Sequence, residues 1–150
     1  MRKLYLVMGY ESKFYINEYI KYREYYNAML QWTLLYQKNR TLSEYLYNIG
    51  YEKIAIYGMS DMGNCLAGDL IGSKYCKCLY AIDQGNAKLF YDIKCYKLTE
   101  LPKLAKPDLV VVTVPHAYDQ LKKEINRMGC FNIISITELV YNAYYEIGME

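Results

Sequence analysis

The stretch that decides the fold is IAIYGMSDMGNCLAGDL, residues 54–70. It reads as a buried strand over 54–57, a glycine turn, and a helix over 64–71. Gly58 allows the tight turn, Gly63 lets helix and strand approach closely, and Ala67 supports that contact one turn on. Backbone N–H groups at such a helix start, with the helix dipole, favour an anion. Two residues cut against a simple pyrophosphate cradle. Ser60 stands where Gly-x-Gly-x-x-Gly has its middle glycine, and its Cβ crowds the approach, although its hydroxyl can donate to a phosphate oxygen. Asp61 follows, and its charge stabilises the helix start while competing with phosphate. The turn therefore has two readings: a working nucleotide site, or a structural turn that keeps only the geometry.

Downstream, strand and helix alternate. Strands are expected at 79–82, ending on Asp83, at 93–96, at 109–114 and at 132–136. Helices are expected at 117–128 and 137–145, with one or two helical turns ahead of residue 109. The run LVVVTV at 109–114 lies between Pro107 and Pro115 and suits a strand buried on both faces. This alternation implies an α/β fold with a doubly wound, parallel, five-stranded sheet of order 3-2-1-4-5.

Residues 1–50 read differently, as an N-terminal helical extension to a domain over 51–150. A helix is expected over 12–38. Tyr15, Tyr19, Tyr22, Tyr26, Met29 and Tyr36 recur at heptad spacing, with Thr33 in the one remaining seam position. Either the domain's own core or a second subunit would cover this seam; the second choice makes the protein a homo-oligomer. Thr41-Leu-Ser-Glu44 is a capping box that opens a short helix, and Gly50 closes it.

Composition narrows the partners. The 150 residues are 53% hydrophobic and 23% charged with a net charge of +2, which fits a globular chain with no basic stripe for nucleic acid. No apolar run is long enough to span a bilayer. Arg2 and Lys3 precede a short apolar stretch that ends at Glu11 without a small-residue cleavage site, so no signal peptide is expected. The five cysteines include no Cys-x-x-Cys, and there is one histidine, so no metal site is expected. Reduced thiols point to the cytoplasm. Cys76 and Cys78, two apart on a strand, should face the same side.

In this fold a ligand sits past the carboxyl ends of the strands, where the strand order reverses. Gly58, Ser60, Met62 and Gly63 would then hold phosphate. Asp83, 25 residues after Gly58, would hold ribose hydroxyls and repel a 2′-phosphate, or else cap the loop in DQGN. Asp83→Ala should then weaken the ligand and leave the unliganded melting point near its original value. Thr113, Pro115 and His116 would line the opposite wall, and His116 is either a ligand contact or a solvated helix-start residue. Tyr118 and Lys122 match Tyr-x-x-x-Lys, but they follow the wrong strand and are set aside. No catalytic residue is assigned.

The segments IAIYGMSDMG, AIDQ, PDLVVVTVPHAYDQLKKEI and NIISITELV together resemble the Rossmann-like nucleotide-sugar-binding module of bacterial surface-polysaccharide proteins. The resemblance is to the N-terminal domain of sugar acyltransferases, whose turn often reads Gly-Ala-Ser-Gly-His-Gly, and it spans residues 51–140. Ser60 matches the serine of that turn and Asp83 the acidic residue after strand two. Met62 stands in place of the family's histidine, and the left-handed β-helix that carries acyl transfer is missing. The resemblance implies an accessory module that binds a nucleotide or nucleotide-sugar for cell-surface carbohydrate synthesis, without catalysis of its own. An NAD-dependent sugar oxidoreductase or epimerase fragment and a ligand-free interaction domain are the alternatives.

Overall fold

The computed structural model describes residues 2–85 and 88–149, with side chains from Ser12 onward. Five strands, β1 (Lys53–Tyr57), β2 (Lys77–Ile82), β3 (Cys95–Tyr96), β4 (Leu109–Val112) and β5 (Ile133–Ser135), form one sheet in the order β3-β2-β1-β4-β5. All pairs are parallel. The helices are α1 (Arg2–Gln37), α2 (Leu42–Asn48), α3 (Asp61–Ile71), α4 (Tyr118–Met128) and α5 (Ile136–Gly148), with 3₁₀ turns at Leu98–Lys103 and Pro115–Ala117. The sheet order and class are those expected from the alternation of segments.

Side-chain alternation builds two core layers. Ile54 and Ile56 of β1 and Leu109 and Val111 of β4 face one side, with Leu66 of α3 and Leu139 and Val140 of α5. Ala55, Tyr57, Val110 and Val112 face the other, with Leu121 and Ile125 of α4 and Leu98 and Leu101 of the first 3₁₀ turn. Cys76 and Cys78 lie on the same side, as their spacing requires. The first layer also takes in Ala28, Trp32 and Leu35 of α1 and Leu42 and Leu46 of α2, so the segment before Tyr51 shares one core with the sheet.

Helix ends follow local chemistry. Helix α1 begins well before residue 12 and stops at Asn39, whose φ of 57° lets Arg40 N–H reach Leu35 O at 3.0 Å and Asn39 N–H reach Tyr36 O at 2.9 Å. Gly50, at φ 100°, closes α2 in the same way, with Tyr51 N–H on Leu46 O at 2.9 Å. Thr41 accepts from Glu44 N–H at 3.2 Å as the capping box predicts, while the Glu44 carboxylate faces Arg40 Nε at 3.6 Å. Strand β5 runs straight into α5: Ser135 ends the strand and its hydroxyl accepts from Glu138 N–H at 3.2 Å.

The helical segment is held by Asp69, a buried carboxylate near the end of α3. It accepts from Leu42 N–H at 3.1 Å and Ser43 N–H at 3.0 Å, the first amides of α2. Trp32 Nε1–H donates to it at 3.4 Å and the Tyr36 hydroxyl at 3.2 Å, both from α1. One side chain thus joins three helices. Asp69→Ala would leave four donors without their acceptor, at about 1–3 kcal/mol for each that stays buried. Urea unfolding should show a loss of at least about 3 kcal/mol, and Asp69→Asn, which keeps one acceptor oxygen, a smaller one.

Burial beside Asp69 sets an alkaline limit. Burial, then the charge of Asp69, pushes the Cys76 thiol up from 9.0 to about 11, and burial followed by Asp69 pushes Tyr36 from 10.0 to about 12. Above pH 9 the unfolded chain loses protons that the folded chain keeps, so this part of the stability is whole below pH 9 and falls as pH rises toward 11. Unfolding midpoints measured from pH 7 upward should drop across that window, and less so in Cys76→Ala.

Candidate functional site

The turn between β1 and α3 is locked from below. Gly58, at φ 95°, has no room for a side chain: a Cβ would lie 2.6 Å from Val114 Cγ2 and 2.8 Å from Thr113 Oγ1. A Cβ on Gly63 would run into the carbonyl oxygen of Gly58. The Thr113 hydroxyl donates to Tyr57 O at 3.0 Å and also bonds Gly58 O. Gly58 N–H continues the ladder to Ile82 O at 2.8 Å. The two glycines thus do what their spacing implied, and the ends of β1, β2 and β4 converge on one point.

Above that point the start of α3 is open. Ser60 is the N-cap residue, exposed, and its side chain makes no capping hydrogen bond. The first amides of a helix have no partner within the helix, so those of α3 are available to an acceptor from outside. Asp61 occupies the first helical position and is exposed.

Asp83 sits at the end of β2 beside this turn. Its Oδ2 accepts from Met59 N–H at 2.8 Å and its Oδ1 from Gly85 N–H at 2.7 Å. It therefore caps its own loop and also braces the glycine turn. This changes the expectation for Asp83→Ala, which removes two backbone contacts from the unliganded protein and so is no neutral probe. A carboxylate has about four acceptor positions, so Asp83 retains capacity for ribose hydroxyls.

A cavity of about 410 Å³ opens between these groups, lined by Ser60, Asp61, Asn64, Asp83, Lys88 and Phe90 among others. Its far wall is the loop that begins at DQGN after β2. Asn64 fastens that loop: its Nδ2 lies 3.1 Å from Met59 O, Ser60 O and Lys88 O, and its Oδ1 accepts from Phe90 N–H at 3.1 Å. Tyr91 lies over Gly68 of α3, where its hydroxyl takes the space a Cβ would need. Phe90 is left 71% exposed at the rim, with Lys88 Nζ 6.0 Å from its ring centroid. The signal for Asn64 was a polar residue on the buried face of a helix, one turn after Ser60.

Other expected site residues fall elsewhere. The Met62 side chain is buried in the core, so only its backbone N–H belongs to the helix start. Thr113 is buried and its hydroxyl is committed to the turn, so it supports the site from behind and does not line a wall. Pro115 opens a 3₁₀ turn, and His116 on that turn is exposed and lies against α1, its Nδ1 3.5 Å from the Tyr25 hydroxyl. Neither Pro115 nor His116 lines the cavity beside Asp83. Tyr118 donates to Ile133 O at 3.1 Å, which explains that tyrosine structurally. Burial, then Asp61, raises the Cys65 thiol; burial, then Asp83, raises that of Cys95, so both thiols nearest the turn are poorer nucleophiles than a free cysteine.

The parallel sheet, its order and helices on both faces make this a Rossmann-like α/β module. No protein-family model matches the chain, and no curated protein matches it. Among solved structures, a chain assigned as a myo-inositol dehydrogenase from Sinorhizobium meliloti 1021 is similar at 16% identity with a TM-score of 0.47, over 63% of this chain and 34% of that one. The present chain thus spans about a third of that structure's length. Among the described residues, no helix is long and apolar enough to cross a membrane.

The glycines make a direct test. Gly63→Ala must force backbone from backbone and should strongly destabilise or unfold the protein in a urea titration. Gly68→Ala meets only the far end of Tyr91, a side chain that can swing aside, and should cost much less. Equal losses at the two positions would contradict this account of the turn.

Proposed function

We propose that the chain binds a nucleoside diphosphate or its sugar conjugate in the cavity between Ser60, Asp83 and Phe90, as a binding module with no reaction of its own. The carrying observation is the order of chemistry along that cavity. Uncapped amides and the Ser60 hydroxyl offer donors to phosphate at one end. Asp83 offers acceptors to ribose hydroxyls in the middle. Phe90 offers an exposed ring to a base at the other end, beside Lys88.

The reading favours a mononucleotide over a dinucleotide. The second half of a dinucleotide would extend across the turn toward the end of β4. Helix α1 passes there, with Tyr25 against His116. Cell-surface carbohydrate synthesis as the setting rests on the resemblance of the turn and strand segments alone.

Thermal melts with UDP, CDP, ADP, a UDP-sugar, NAD and NADP test this. A ligand at about one hundred times its dissociation constant adds about 2.7 kcal/mol, a melting shift of about 5–10 °C for a chain of this length. At least one nucleoside diphosphate or its sugar conjugate should give such a shift, NAD a smaller one and NADP none. Ser60→Ala and Phe90→Ala should reduce the shift and leave the unliganded melting point unchanged, since both side chains are exposed. A panel with no shift overturns the proposal, and a larger shift with NAD overturns its mononucleotide form.

A further inference from the structure

The first half of α1 stands clear of the domain. Tyr36 and Trp32 bond Asp69 near the end of α3, at the amino edge of the sheet, while Tyr25 meets His116 at the carboxyl edge. The helix therefore climbs the full height of the sheet between residues 36 and 25. Residues 12–24 continue past that edge for about 20 Å at 1.5 Å per residue. Along this stretch and just after it, Tyr15, Tyr19, Tyr22 and Tyr26 are 68, 66, 62 and 66% exposed. At 3.6 residues per turn the four lie within about 60° of one another, and roughly 130° from the row Tyr25, Ala28, Trp32 and Leu35 that packs on the core. The domain's own core, one of the two covers open to the heptad seam, takes its later members, with Met29 packed on the core and Tyr36 bonded to Asp69, and leaves these four tyrosines bare.

We propose that a second copy of this chain covers the seam, through antiparallel pairing of the two α1 helices about a two-fold axis between residues 20 and 21. The first argument is area. At about 150–250 Å² per aromatic residue, the four tyrosines, all 62% exposed or more, present roughly 500 Å² on one face. Ile16, 57% exposed, flanks this stripe and extends it toward the about 800 Å² per partner of a standard interface.

The second argument is symmetry. A two-fold interface must be self-complementary. The seam steps of four, three and four residues read the same in both directions. The axis therefore sets Tyr15 opposite Tyr26 of the partner subunit and Tyr19 opposite Tyr22 of the partner subunit. These are the layers of an antiparallel coiled coil, and they use the four bare tyrosines of the seam, while Tyr36, the fifth, bonds Asp69 of its own domain. Tyrosine suits the place, because its ring is buried in the seam while its hydroxyl reaches water at the edge. The third argument is bulk. Each domain is fixed to the later part of its own α1, so antiparallel pairing puts the two domains at opposite ends of the shared helices. The seam uses no residue that lines the ligand cavity, so the pairing stands or falls independently of the ligand reading.

Sedimentation velocity at micromolar concentration should show a dimer. Tyr19→Glu with Tyr22→Glu should give a monomer in which the fluorescence of Trp32, buried in the core, is unchanged. Orientation is read by disulfide trapping after the exposed Cys65, Cys95 and Cys130 are replaced by serine. Chains with Tyr15→Cys mixed with chains with Tyr26→Cys should link into a mixed dimer under mild oxidant. Tyr15→Cys alone should not link, since the two copies of residue 15 would lie about 16 Å apart along the axis. A native monomer overturns the proposal and leaves the seam to a different chain. A dimer that survives the double glutamate overturns the seam as the interface, and self-linking of Tyr15→Cys overturns the antiparallel arrangement.

Discussion

The Asp69 carboxylate is the interaction on which the arrangement of helices depends. A buried carboxylate is costly unless its oxygens are occupied, and here two backbone amides, an indole and a phenol occupy them. Because the two amides are the first of α2, Asp69 also supplies the negative charge that a helix start favours. The result fixes where α1 and α2 lie against α3. That in turn carries α1 past the end of β4 and brings Tyr25 to His116. The closed side of the candidate site and the bare seam of α1 both follow from how Asp69 positions this helix.

The order of the sheet was legible because its signals are local and redundant. LVVVTV with its flanking prolines, the glycine turn and the return of apolar runs each named the same architecture. Boundaries were less legible where a residue serves two elements. Ser135 ends a strand and caps a helix, so no loop marks the change. Asn39 ends α1 through a positive φ, which asparagine tolerates without announcing it. The seam of tyrosines was visible, but the face of α1 that meets the core was not. Trp32 and Leu35 pack there together with Ala28, and a single alanine carries little weight in a periodicity.

At the site, glycines were readable because only steric exclusion explains them in that order. The partners of polar residues were not. Asp83 was placed correctly at the end of β2, yet its bonds to Met59 and Gly85 depend on how two loops meet. Asn64 and Phe90 belong to the cavity only because the loop after β2 folds back on α3. Thr113 looked like a wall residue by its place after β4, and its hydroxyl instead faces inward to the turn.

The Thr113 interlock has a consequence for the binding proposed at this turn. Gly58 N–H and Thr113 N–H extend the ladders of β1, so the turn opens only if the middle of the sheet opens. A phosphate arriving at the start of α3 would meet a backbone already held in place. Little chain entropy would be lost on association, and the free energy of contact would go to affinity and not to ordering a loop.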